Sequence, residues 1–207
     1  MVLMPLVGLL SGLLSICFLS LFANSSAEWL TGIVFGTLIA LCLAMRGILR
    51  GYWKPVKLII TSVVAWITSL FVAGFVAGGA HPPELVVPFV GGMVGAFIIL
   101  GEALYLTCPE FGTWAIVLKA IIWSAVSGAL AACGWALGPS FGVNLWHVLH
   151  VLHLTGPADL PWGNVAFGDS QPMYSIFVIW QTGVATALAI MLRGCGSHEG
   201  LKEIKNP

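Results

Sequence analysis

Arg46-Gly-Ile-Leu-Arg-Gly-Tyr-Trp-Lys-Pro-Val-Lys57 is the stretch that decides how this chain folds. It holds four of the eight Lys and Arg residues, and a long apolar run borders it on each side. Cationic residues next to a hydrophobic span resist transfer across a bilayer, so a turn this basic is expected to stay in the cytoplasm. Tyr52 and Trp53 beside Lys54 and Lys57 suit the headgroup layer, with rings in the interface and ammonium groups in water. Pro55 fits a helix start, where its missing N–H costs little.

The composition agrees with lipid as the surrounding solvent. The 207 residues are 59% hydrophobic and 8% charged, with mean hydropathy +1.01. Soluble domains carry roughly 25% charged residues. A water-soluble fold of this size has too much surface for so few charges to cover. Net charge is zero, which points away from a nucleic-acid partner. Of five cysteines, Cys17, Cys42 and Cys133 fall inside apolar runs and read as small fillers. Cys108 and Cys195 fall near the expected cytoplasmic face, a reducing compartment, so no disulfide is expected.

Working outward from the basic turn, the runs divide into six spans, at about 2–23, 29–45, 56–80, 87–107, 113–137 and 173–192. Each is near the roughly 17–25 residues that cross about 30 Å of hydrocarbon as a helix. In lipid the backbone must satisfy itself, so runs of this length are helices. The first span lacks the Lys or Arg of a signal peptide and is longer than its apolar core, so it reads as a retained helix. With turn 46–57 inside, alternation places both termini, turn 108–112 and the polar tail 194–207 inside. All eight cations (Arg46, Arg50, Lys54, Lys57, Lys119, Arg193, Lys202 and Lys205) then fall on the inner half. The expectation is an all-α integral membrane protein. It is a single domain over 1–207, a compact six-helix bundle with N and C termini inside, in the plasma (inner) membrane of a bacterium. The connection 138–172 lies outside and carries a short interfacial or re-entrant helix.

Lipid tails are as apolar as Leu, so close backbone approach rather than hydrophobicity holds such helices together. Small residues recur four apart at Gly8/Gly12, Gly32/Gly36/Ala40, Gly74/Gly78, Gly91/Gly95 and Ser124/Gly128/Ala132, each a candidate seam. The partners expected are the bilayer itself, a second copy or other membrane subunits.

Glu102 and Lys119 are the two ionisable side chains well inside the expected spans, and a charge in a membrane is a functional hypothesis by default. At 1.5 Å per residue both lie roughly 8–9 Å from turn 108–112. They can pair across the hairpin, either as a lock or as part of an ion or proton relay. Alternatively Lys119 snorkels alone. Gln181 is the most polar uncharged group in any span and either bonds between helices or faces a solute. Ser11, Ser15, Ser62, Thr68 and Ser69 are expected to bond back to their own helices.

In the outer connection, His147, His150 and His153 recur three apart. Two adjacent ones, His147 and His150, can share a zinc or copper ion, which imidazole suits. His81, Glu84, Asp159 and Asp169 could add ligands. The same pattern also fits a mildly polar face of a helix resting on the membrane, or a pH-sensitive cap. No other cofactor is expected. No P-loop, HExxH, GxSxG or dinucleotide fingerprint occurs. The first functional reading is a transporter or channel-type protein for a small solute or ion, with its path near Gln181, Glu102 and Lys119. The second is a non-catalytic membrane subunit or scaffold. The third is a membrane enzyme with a histidine metal site at the outer face.

Overall fold

The computed structural model describes residues 3–21, 29–79, 82–108, 111–152 and 172–193. Among the described residues there is no strand. The elements are α1 (Leu3–Leu21), α2 (Trp29–Met45), α3 (Trp53–Ala77), α4 (Val86–Thr107), α5 (Thr113–Ala136), α6 (Val143–Val151) and α7 (Pro172–Arg193). A π-helical turn over Gly138–Gly142 leads into α6. The long helices start and stop close to where hydropathy places them. The largest difference is at α3, which begins at Trp53 rather than after Pro55. The proline then sits in the first turn, where no N–H is needed.

The basic turn is built by two glycines. Gly47 and Gly51 take φ of +69° and +86°, the left-handed region that other residues adopt at a cost. Gly47 N–H donates to Ala44 O at 2.9 Å and Ile48 N–H to Leu43 O at 3.0 Å, the paired bonds of a Schellman cap that ends α2. The cap turns Leu49 into the core, 3% exposed, while Arg46 and Arg50 stay out.

The six long helices form a closed ring in the order α1–α2–α3–α4–α5–α7, and α7 also touches α4 across it. Neighbours run antiparallel, so the start of α1, the basic turn and the end of α7 lie at one end. The reason for the close approach is on the glycines. A Cβ on Gly12 would lie 2.7 Å from Val178 Cα, and one on Gly8 would lie 2.6 Å from Gln181 O, so α1 meets α7 backbone to backbone. Gly32 and Gly36 face Val63 and Ser62 of α3; Gly91 and Gly95 face Ala73 and Ser69 of α3; Gly128 faces Phe89 and Met93 of α4. Gly134 adds a contact of α5 with Ile176 of α7. Gly74 and Gly78 form no such seam. Gly74 has open space within 4 Å, and Gly78 meets only its own helix. They lie on the exposed side of α3, beside Phe71 and Phe75, 75% and 86% exposed.

The outside of the ring is apolar, with Phe71, Phe75, Trp114 and Leu118 among its exposed side chains. Four helices are long and apolar enough to cross a bilayer, and α1 and α2 are shorter apolar helices. These four suggest a membrane location. One expectation about cysteine is overturned. Cys17, Cys42 and Cys133 are free, but Cys108, buried at the end of α4, is disulfide-bonded. The fifth cysteine, Cys195, lies outside the described residues.

Candidate functional site

The middle of the ring contains buried polar atoms that lack a hydrogen-bond partner among the described residues. Gln181 on α7 is fully buried, and its amide Nε2 donates to Ser15 Oγ of α1 at 3.2 Å. Among the described residues its Oε1 has no hydrogen-bond partner. The same holds for Ser62 Oγ, Ser69 Oγ and Trp66 Nε1 of α3, Ser11 Oγ of α1 and Thr182 Oγ1 of α7. Ser124, Ser127, Thr107 and Thr186 do bond back to carbonyls of their own helices. Ser11, Ser62 and Ser69, expected to do likewise, do not. The physical reason for the latter pair is the neighbouring glycine. Ser62 projects into the notch at Gly36 and Ser69 into the notch at Gly95, which points the hydroxyl away from its own backbone.

Aromatic rings separate Gln181 and Ser62 from one end of the bundle. Trp180 Nε1 donates to Gly92 O at 3.0 Å, which clamps the indole against α4. Its ring lies 5.9 Å from Trp66 and 6.1 Å from Phe35, and Trp66 lies 5.2 Å from Phe177. Gly92 makes room for it: a Cβ there would stand 3.2 Å from the indole. Above the rings, at the end opposite the basic turn, opens a cavity of about 80 Å³ bordered by Trp66, Trp135, Phe177, Trp180, Gly91 and Gly92. Below them, the space between Thr31, Ser62, Trp66 and Gln181 is filled by side chains and admits no water. A further shallow groove of about 430 Å³ runs along the outside, where Leu9, Trp123 and Leu130 face Gly183 and Thr186.

The basic end is closed by contacts between α3 and α4. Lys57 Nζ lies 2.9 Å from Glu102 Oε1, and Lys54 Nζ donates to Leu106 O at 3.1 Å. The contact ties a half-exposed ammonium to a mostly buried carboxylate. The expected Glu102–Lys119 pair is therefore corrected. Lys119 Nζ instead sits 3.6 Å above the Phe111 ring. The cause is helical phase. Glu102 lies eleven residues after Gly91 and seven after Gly95, on the stripe of α4 that faces α3, whereas Lys119 belongs to α5.

The histidine segment forms α6, with Leu145 packed against the Ile16–Phe177–Val178 cluster and His147 exposed. His81, His153, Asp159 and Asp169 lie outside the described residues, as does the tail 194–207. Among the described residues, no three of His, Cys, Asp and Glu come together. Sequence reasoning missed Trp66, Trp135 and Trp180. A usable signal existed: tryptophan favours the two interfaces of a membrane, yet Trp66 and Trp180 fall in mid-span.

No known protein family, no curated protein and no solved structure matches the chain.

Proposed function

We propose that the chain crosses the membrane six times, with both termini in the cytoplasm, and carries a small solute between the helices of the ring. The observation that supports this most is a pair of oxygens without a partner among the described residues, Gln181 Oε1 and Ser62 Oγ, beneath a cavity at one end. Each buried polar atom without a partner costs roughly 1–3 kcal/mol. A bundle with no use for these groups would be more stable with Ala or Leu in their place. In a carrier they are the groups that a hydroxyl of a passing solute satisfies. The arrangement then corresponds to one arm of an alternating cycle. The far end is open down to the indoles, the centre is shut, and the basic end is held by Lys57–Glu102 and Lys54–Leu106.

The filled centre gives support to a second reading, a subunit or scaffold that binds another membrane helix along the groove at Gly183. A metal site on His147 and His150 would need further ligands from outside the described residues.

Reconstituted vesicles separate the first two readings. Vesicles holding the protein are mixed with hyperosmotic glycerol, urea or choline thiocyanate, whose anion crosses the bilayer unaided, and re-swelling is followed by light scattering. At least one solute should enter faster than into protein-free vesicles. Gln181→Leu should slow that entry about tenfold while leaving the fold intact, since it loses one hydrogen bond but removes one orphaned oxygen. Rates equal to protein-free vesicles for every solute, with folded protein, would remove the carrier reading.

A further inference from the structure

The cavity above the indoles is built for a particular chemistry. Its wall is almost wholly apolar, because Ser69 Oγ and Trp66 Nε1 are both turned out of contact with open space. A solute that must keep hydrogen bonds, such as a sugar or a primary amine, would lose them there without replacement. Two kinds of group need no hydrogen bonds: a plain hydrocarbon and a quaternary ammonium. A hydrocarbon dissolves in the bilayer and needs no protein to reach its middle. A quaternary ammonium does not cross oil, is weakly hydrated, and is held by the negative faces of aromatic rings.

Three tryptophans and a phenylalanine, Trp66, Trp135, Trp180 and Phe177, converge on this one cavity. The charge around it agrees. Among the described residues no Lys or Arg lies at that end of the ring, and Glu84 is exposed on the connection leading into α4. The cavity, about 80 Å³, has room for more than a single water, which leaves space for a compact head group.

We infer that this cavity binds a small quaternary ammonium compound of the choline type, its head among the indoles. This deepens the carrier reading and rests on the chain lying in a membrane. It names the solute class and makes Trp135 a ligand contact at the cavity wall.

The test is calorimetric titration of the purified full chain in micelles with choline and with 3,3-dimethylbutan-1-ol, which has the same shape and a carbon in place of the charged nitrogen. Choline should bind at least tenfold more tightly. Trp135→Leu should abolish choline binding, Trp135→Phe should retain it, and Trp114→Leu, at the opposite end of α5, should leave it unchanged. Equal binding of both compounds, or none by choline, overturns the inference. Should Trp135→Leu fail to fold, the two compounds on the unaltered chain still decide. Choline binding by a protein whose vesicles pass no solute keeps the site and removes the carrier. Flux of glycerol or urea without choline binding does the reverse.

Discussion

Replacing Gly12 by Ala should weaken the bundle, while the same change at Gly74 should not. At Gly12 the added carbon would stand 2.7 Å from Val178 Cα, 3.0 Å from Phe177 O and 3.1 Å from Val178 N. All three are backbone atoms, so no side chain can swing aside. Carbon atoms are at their optimum about 3.5–4.0 Å apart. Helices α1 and α7 would therefore have to part by about 1 Å, and a gap of that size forfeits roughly a quarter to a half of each contact along the seam. Overpacking of this kind costs about 1–3 kcal/mol. Alanine returns about 0.5–1 kcal/mol by stiffening the helix. Taking the middle of each range, the net loss is about 1 kcal/mol, or roughly a fivefold shift in the folding equilibrium.

At Gly74 no atom lies within 4 Å, so only the gain remains. The two substitutions should thus differ in sign. Equilibrium unfolding in mixed micelles, titrated with a denaturing detergent and followed by tryptophan fluorescence, measures both. Gly128→Ala, whose added carbon would stand 2.6 Å from Phe89 O, should follow Gly12→Ala. A neutral or stabilising effect at Gly12, or equal losses at Gly12 and Gly74, would refute the view that the glycines act by letting backbones meet.

Two further outcomes are expected. In double-mutant cycles on stability, Glu102→Gln should couple measurably to Lys57→Met and not to Lys119→Met; coupling to Lys119 alone would mean that the hairpin of α4 and α5, rather than the α3–α4 contact, holds the carboxylate. The Cys108 disulfide bears on sidedness, because such bonds persist in oxidising compartments and are rare in the cytoplasm. If turn 108–112 is cytoplasmic, cells quenched in acid and then denatured with an alkylating reagent should yield Cys108 modified. Recovery of Cys108 unmodified until a reductant is added would place that turn on the oxidising side and reverse the proposed orientation.

Much of the helical arrangement can be read from hydropathy and punctuation. Helix boundaries follow from the length of apolar runs and from breakers such as Gly47, which caps α2, and Gly112, which precedes α5. Most small-residue seams are legible too, in the four-residue spacing of Gly8/Gly12, Gly32/Gly36 and Gly91/Gly95. Gly74 stands near Phe71 and Phe75, large side chains that project outward, and its spacing alone could not reveal that. The disulfide was hidden for a different reason: compartment was inferred from charge, and charge says nothing about which thiols come within reach.

Depth is fixed by sequence, but direction around the helix axis is fixed by neighbours. At 1.5 Å per residue, Lys57 and Lys119 are both at a suitable level for Glu102. Which one it meets depends on which side of α4 faces α3. That side is marked by Gly91 and Gly95, and Glu102 continues their row, so the pairing with Lys57 was present in the spacing once the ring order was known. The tryptophans extend the same point. Trp66 and Trp180 sit at the same depth on helices that are not adjacent in the ring, and only closure of α7 against α1 and α5, with its reach across to α4, brings their indoles together. A floor of aromatic rings between an apolar cavity and a buried amide therefore arises from topology acting on residues that, taken singly along the chain, look like ordinary membrane filler.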